Sequence, residues 1–547
     1  MNKKSTNLLL VFAVLILLSI PLILPYFTPG YFPTHDGEWA VVRAVEMFRE
    51  VRDMQFPPRY SGVLNFEYGY PLFNFAYPFP YYLSLLLHLL GFSFIASIKF
   101  LFAVSIPLSA IFMYLASKKI WNSNLAGILS GVLYIYVPYR MVDLYVRGSL
   151  GESISFILFP LILYLLLVFI ENKKIYSGLL AGIFFAVLVL THNIMAVYFL
   201  LLLGLFFISS LLIGNRRYLK PFMFFGLIGI AVSCYFWLPA LFEKQYILLS
   251  RTPIANRDLY YPTLQELLIP SWGYGGPTSA DGFSYQLGIP LILTLLSFIS
   301  FIIYKLYKKQ TQSRSFIFIC GVLVILFFLL SPVSKIVWEH SPLLSEINYP
   351  WTLLGPIAFL AALGSGILSN GKSTKYFLIM LTVLSIVLVL PYAKPIRYDE
   401  RSDAYYITND ATTTSSNELM PLWVKRHPSN KPEKKVITEY QSSITDEAFK
   451  SNRFSFNITS PSKQSVVVNR LYYPGWSISV NNQEVPVSYE NDLGVMSFTV
   501  PQGNSSVKAV FEETPLRLTA DLISLFSILA IGIIFYKRKL FEQIILK

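Results

Sequence analysis

Twelve apolar runs, most of them long enough to cross a bilayer as one helix, set the limits on what this chain can fold into. They lie at about 8–24, 95–116, 124–138, 154–170, 176–191, 194–213, 220–240, 287–304, 316–331, 350–368, 374–391 and 518–536. A hydrocarbon core takes roughly 20 residues of helix. A backbone inside it must bond to itself, so repeated runs of this length form a helical bundle. With 54% of 547 residues hydrophobic and 14% charged, the soluble globular class is excluded. A net charge of +13 would point to nucleic acid in a soluble protein. Here the basic residues fall between apolar runs and set orientation instead, so no nucleic-acid partner is expected. Cys234 and Cys320 lie within apolar runs, which argues against a disulfide framework or a cysteine metal site. No small-residue cleavage site follows the first run, so it is expected to be a retained helix.

Charge decides how the runs are counted. The short apolar piece Leu83 to Leu90 can cross or lie in the interface. If it lies in the interface and the N-terminus is cytoplasmic, the clusters Lys118-Lys119, Lys173-Lys174, Arg216-Arg217-Lys220, Lys305 to Arg314, Lys372-Lys375 and Lys537 to Lys539 all fall inside. If it crosses, nearly all of them fall outside. The chain is therefore read as an α-helical polytopic protein of the cytoplasmic membrane, with about 12 crossings, interfacial helices and both termini cytoplasmic. Residues 1–393 form the transmembrane domain, with surface helices in an outer loop at 26–92. Residues 394–515 form a polar extracytoplasmic domain, and 516–547 form a last span with a basic cytoplasmic tail. In the polar domain, alternation in RFSFNI, SVVVNRLYY, WSISV, EVPVSY, VMSFTV and SVKAVF predicts a small antiparallel β-sandwich over about 399–514.

The stretch THDGEWAVVRAVEMFREVRD, Thr34 to Asp53, follows the first run almost at once, which places His35 and Asp36 at a membrane surface. Val41, Ala44, Val45, Phe48 and Val51 recur at helical spacing, the pattern of a helix lying on a membrane. Asp36 can be the N-cap of that helix, or a carboxylate kept there for chemistry. The outer loop YRMVDLYVRGSLGE, Tyr139 to Glu152, carries cations on the side where the orientation rule disfavours them. Arg140 and Arg147 can hold a phosphate, with Asp143 or Glu152 orienting a hydroxyl. They can equally form the local pairs Arg140–Asp143 and Arg147–Glu152. His192, between two runs, reads as a structural or substrate-facing residue at the outer edge. Arg251 belongs to a later outer segment whose glycine-rich SWGYGGPTSADG is a lid or a set of turns. The five histidines are scattered, and there is no phosphate loop, nucleophile elbow or dinucleotide fingerprint. An activated donor must therefore arrive preformed, from the lipid phase.

A first span with an acid at its outer end, a surface helix, a Pro/aromatic second surface helix and many further spans resemble the C-type (GT-C fold) membrane glycosyltransferases. More narrowly, PTHDGEWAVVRAVEMF, QFPPRY, GYPLFNFAYPFPYYL, VPYRMVDLYVRGSLGE and LTHN resemble bacterial membrane proteins of the 6-pyruvoyl-tetrahydropterin synthase-related type. YYPGWSISVNNQEVPV with the closing span is similar to their YfhO-type branch. The zinc-binding histidine cluster of soluble pterin synthases has no counterpart here. The resemblance implies transfer of a sugar from a polyprenyl-phosphate donor to an extracytoplasmic acceptor, a cell-surface glycan, lipid or protein, with Asp36 as base and Glu152 as the next candidate acid. His35, Arg140, Asp143, Arg147, His192 and Arg251 are the expected substrate-binding residues, and a divalent cation is the one cofactor left open. A non-enzymatic transporter or envelope-assembly scaffold is the competing class. Acids clustered at outer helix ends, rather than at mid-bilayer, favour the enzyme over a transporter and leave the scaffold open.

Overall fold

The computed structural model describes residues 3–537 apart from 213–218, 253, 280 and 312. Arg216, Arg217 and the basic tail from 538 onward, read above as cytoplasmic, lie outside the described residues. The helices run in chain order as α1 Lys3–Ile23, α2 Gly37–Arg52, α3 Leu72–Phe75, α4 Phe79–Leu89, α5 Phe94–Trp121, α6 Asn124–Ile135 and α7 Pro138–Val142. Then come α8 Leu150–Asn172, α9 Ile175–Thr191, α10 Asn193–Leu212, α11 Leu219–Val232, α12 Cys234–Glu243 and α13 Leu264–Leu268. The remainder are α14 Ile289–Tyr307, α15 Arg314–Leu330, α16 Lys335–His340, α17 Leu354–Ser365, α18 Lys372–Val389, α19 Asp403–Ile407 and α20 Pro515–Tyr536.

Among the described residues, eight helices are long and apolar enough to cross a bilayer. Three bent pairs, with kinks of 47°, 70° and 85°, raise the number to 11 if each is one span. The kinks fall where the ladder is interrupted: before Pro138, at Ser233, whose hydroxyl bonds back to the Gly229 carbonyl (2.9 Å), and at Pro332. The apolar 17-residue α9 is the remaining one of the 12 sequence runs. Helix α4, with 11 residues, reaches only about 16 Å, too short to span.

The C-terminal β-sheet domain has the strands β1 Val436–Thr438, β2 Ser443–Phe449, β3 Arg453–Ser460, β4 Gln464–Leu471, β5 Trp476–Val480, β6 Gln483–Val485, β7 Val495–Val500 and β8 Gly503–Phe511. They form a three-stranded sheet β1-β4-β7 and a five-stranded sheet β2-β3-β8-β5-β6, with every pairing antiparallel. Strands thus begin at Val436, not near 399. The polar segment from 399 to 435 straps the helical body instead. There Asp403 accepts the Phe94 and Ile95 amides at the start of α5 (2.7 and 3.0 Å), while Leu248 and Leu249 donate to the carbonyls of Met420 and Glu418.

This strap also corrects the reading of α2. Its apolar face is buried as the periodicity demands, but Glu46 and Glu50 on the polar face are buried as well (1% and 0% exposed). Arg43 and Arg49 bond to carbonyls of Thr413 and Ile407 in the strap, and Asp53 takes the Ser451 amide of the sheet domain. The helix is thus clamped between protein layers, its polar face covered as well as its apolar one. Neither carboxylate oxygen of Glu50 has a hydrogen-bond partner within bonding geometry among the described residues. Burial, reinforced by the carboxylates of Glu46 and Asp53, pushes its pKa well above the usual range. A carboxyl raised in the folded state binds its proton there more tightly than in the unfolded chain. Stability therefore falls as pH rises from about 4.3, the ordinary glutamate value, toward the raised value. Glu50→Gln is expected to flatten this dependence and raise the melting temperature at neutral pH. Melting curves that fall equally with pH in both proteins would remove Glu50 as the cause.

Candidate functional site

The site is built where the chain leaving the first span meets the turn before α8. The His35 amide donates to the Val146 carbonyl (3.0 Å) and the Asp36 amide to the Arg147 carbonyl (2.8 Å). Asp143–Arg147 is a single π-helical turn, which ends at Gly148 with φ +64°. The two segments approach so closely that a Cβ at Gly148 would stand 2.3 Å from Thr34 Oγ1 and 2.9 Å from the Gly37 amide. Gly148→Ala therefore combines a left-handed backbone penalty with a collision. It is expected to lower stability by about 1–3 kcal/mol and to part Asp36 from Arg147, read as a lower melting temperature.

Asp36 sits at the N-cap position of α2, yet its side chain makes no capping bond. Thr34 Oγ1 accepts the Gly37 amide instead (3.0 Å). The half-buried carboxylate forms no hydrogen bond and no ion pair among the described residues. It lines a cavity of about 350 Å³ together with Arg43, Arg147, Trp39, Tyr81 and Trp351. Arg43 stands seven residues along α2 from Asp36, two turns on and so on the same face. Its Nε is 3.1 Å from Thr413 Oγ1 and its Nη2 donates to the Thr413 carbonyl, which ties the strap into the wall.

Behind the cavity lies a buried network. Arg147 stacks on Trp351 (4.6 Å) and pairs with Glu152 and, at 3.5 Å, with Asp143. Glu152 also accepts the Tyr139 hydroxyl. Asp143 accepts from Arg140 Nη1 (3.1 Å) and Ser153 Oγ (2.7 Å). Arg140 is fully buried, bonded to Ser105 Oγ (2.7 Å) and stacked on Phe156 (4.3 Å). Two guanidinium groups and two carboxylates balance one another, and of the four only Arg147 reaches the cavity wall. The local pairs are thus the arrangement formed. Arg140, Asp143 and Glu152 do not face the cavity; the two carboxylates hold Arg147, and Arg140 is the second partner of Asp143.

The other expected residues divide. His35 is on the rim, with Nε2 3.0 Å from the Tyr274 carbonyl and its ring near Phe283 (5.9 Å), so it ties down the glycine-rich loop. Pro277 and Phe283 of that loop form part of the cavity wall. His192 is buried away from the wall; its Nδ1 accepts the Met195 amide (3.3 Å) and its ring stacks on Tyr77 (5.4 Å). Arg251 is exposed and does not line the cavity. Arg43, Trp39, Tyr81 and Trp351 were absent from the expected set, although the spacing of Arg43 from Asp36 signals a shared face. A divalent cation does not fit. No group of three or more His, Cys, Asp or Glu side chains comes together among the described residues, and Asp36 shares its cavity with two guanidinium groups.

Among solved structures, the chain is similar to the oligosaccharyltransferase of Archaeoglobus fulgidus tethered to an acceptor peptide containing the NVT sequon. The identity is 14% and the TM-score 0.46, over 76% of this chain and 60% of that one. It is similar to the archaeal oligosaccharyltransferase AglB from Archaeoglobus fulgidus in complex with an inhibitory peptide and a dolichol-phosphate, at 14% identity and TM-score 0.45, over 74% and 56% of the two chains. The mycobacterial arabinofuranosyltransferase AftD matches at 18% identity and TM-score 0.46, over 74% of this chain and 28% of its own. The chain thus spans no more than 60% of the length of these neighbours. No curated protein matches it by sequence. The sequence profile of the 6-pyruvoyl-tetrahydropterin synthase related domain, described as a membrane protein, matches residues 73–396, more than half of the chain. The protein belongs to this family of 6-pyruvoyl-tetrahydropterin synthase-related membrane proteins.

Proposed function

We propose that the chain is an integral membrane glycosyltransferase that transfers a sugar from a polyprenyl-phosphate donor to an extracytoplasmic glycan or lipid. The observation that carries this reading is Asp36. Its carboxylate is freed from capping by Thr34, has no partner among the described residues, and shares its cavity with Arg43 and Arg147. In the reaction, the acceptor oxygen attacks the anomeric carbon of the donor sugar and gives its proton to Asp36. The bond from that carbon to the phosphate oxygen breaks, and the electron pair leaves with the phosphate. Arg147, held by Glu152 and Asp143, and Arg43, held by Thr413, meet the added negative charge. Arginine keeps its charge in such a setting, which suits it to this role.

The aromatic walls fit the same substrate. Trp39, Tyr260, Tyr349 and Trp351 offer flat apolar faces to the C–H faces of sugar rings, with Glu418 and Ser415 as hydroxyl partners. In this reading the cavity opens on the extracytoplasmic side of the cytoplasmic membrane, both termini lie inside, and the donor's tail stays in the bilayer. Cells with and without the protein provide the test. The expected result is loss of a surface or lipid-linked glycan and accumulation of the corresponding polyprenyl-phosphate sugar. Unchanged glycans with unchanged donor, or turnover of a nucleotide sugar by the purified protein without any polyprenyl carrier, would overturn the proposal.

A further inference from the structure

A second cavity, about 920 Å³, has no part in that chemistry. It lies where the first span ends and α5 begins, lined by Tyr26, Phe27, Ile95, Phe100, Ala103 and Lys99. Phe27 and Phe100 are 78% and 42% exposed, and Phe92 rests against Phe100 (5.6 Å). These are large apolar surfaces at the edge of a membrane span, open to whatever occupies the cavity.

Lys99 is the feature that needs an occupant. It is nine-tenths buried, and its ammonium donates to two neutral carbonyls, Thr28 and Gly30 (3.0 Å for the latter). It forms no ion pair among the described residues. A buried cation without a counter-charge is strongly unfavourable. The charged groups nearby on the roof are already engaged: Arg401 pairs with Glu38 and Asp399, and the Asp403 carboxylate holds the Phe94 and Ile95 amides. Glu400, on the same roof, is exposed and has no ion pair among the described residues. Glu400 is left to solvent, so the buried charge without a counter-ion is the Lys99 ammonium, and beside a long apolar surface it calls for a ligand with a negative group joined to a hydrocarbon chain.

We propose that this cavity is a phospholipid site, in which the phosphodiester of a membrane glycerophospholipid supplies the counter-charge of Lys99 and an acyl chain covers Phe27 and Phe100. Basic pockets at the ends of membrane helices recognise head groups in this way. Because Lys99 grips the carbonyls of Thr28 and Gly30, the lipid braces the segment that leads from the first span to Asp36. The site is separate from the Asp36 cavity and does not depend on the reaction proposed for it.

Full-length protein, stripped of lipid in mild detergent, is titrated with phosphatidylethanolamine and with phosphatidylglycerol. Binding is read by native mass spectrometry and by the rise in melting temperature that a ligand of the folded state produces. The wild type is expected to bind and be stabilised by either lipid. Lys99→Met, which keeps the stem but removes the charge, is expected to lower affinity roughly tenfold or more. Ala96→Trp, on the cavity wall one turn before Lys99 in α5, fills the space and is expected to abolish the shift. Both variants should melt like the wild type before lipid is added; a variant that does not is replaced by the other as the deciding case. Equal stabilisation of the wild type and a normally folded Lys99→Met or Ala96→Trp protein would overturn the proposal. So would a shift reproduced in full by inorganic phosphate, or one produced by polyprenyl phosphate and by neither phospholipid.

Discussion

Asp36→Asn is expected to lower transfer by roughly 10² to 10⁴ while leaving folding and membrane insertion unchanged. Asparagine caps a helix about as well as aspartate, so a capping role would make the replacement neutral in any case. The geometry sharpens the contrast, since the Gly37 amide is already taken by Thr34 and the Asp36 side chain caps nothing. What the substitution removes is a proton acceptor, with shape and backbone pairing preserved. A correctly inserted variant with wild-type transfer rates would eliminate the base assignment. Glu152 would not inherit the role, because it is buried against Arg147 and Tyr139 and is not on the cavity wall.

The largest effect on stability is expected at Glu243. At the end of α12, its carboxylate takes Arg517 of α20 through Nε (3.1 Å) and Nη2 (2.8 Å). It also accepts Asn74 of α3 (2.8 Å), the Tyr473 hydroxyl of the sheet domain (3.2 Å) and Thr514 (3.3 Å). Glu243 and Arg517 are 2% and 0% exposed. Removing one member of a buried pair strands the other charge, at about 3–5 kcal/mol. Glu243→Leu alone should lower the melting temperature sharply and loosen the sheet domain, seen as faster proteolysis of the 512–515 junction. Adding Arg517→Met should recover much of the loss, because an apolar pair of similar volume replaces the stranded cation. If the double variant is no better than the single one, the carboxylate acts through Asn74 and Tyr473 instead.

The helical body was legible because hydrocarbon thickness imposes one length on every span, and each sequence run coincides with a helix or with one of the bent pairs. Where a run is bent, at Ser233 for example, the hydropathy is unbroken and carries no sign of the kink. In the sheet domain, alternation exposed β3, β4, β5, β7 and β8 because each has one buried face. Strand β2, SITDEAF, is exposed along most of its length at a sheet edge, and β1 has three residues, so neither shows a pattern. The 399–435 strap was placed in the sandwich because polar composition says only that a segment is outside the bilayer, not what it covers. Its targets, Arg43 and the start of α5, are more than 300 residues away in sequence.

For the site, the sequence could nominate charges but not say which ones neutralise each other. Arg140 and Arg147 are alike on paper. Side-chain depth separates them, with Arg140 closed off between Asp143, Ser105 and Phe156. Arg43 lies outside the apolar repeat of α2, and periodicity says nothing of such a position, which is here an inner wall. Arg251 drew attention by charge and is turned to solvent.

The pairing of His35 and Asp36 with Val146 and Arg147 joins the backbones beneath acid and cation through main-chain amides, so the spacing of the two side-chain roots is metered by the peptide unit. Under the proposed function, the aromatic walls can then be exchanged residue by residue, altering which sugar or acceptor fits, without moving the backbone that carries Asp36 and Arg147. Chain length is what such a gauge cannot absorb. One residue added or removed between Thr34 and Gly37 would present a different side chain at the position opposite Arg147, which makes this short interval intolerant of insertions and deletions even though it is a loop.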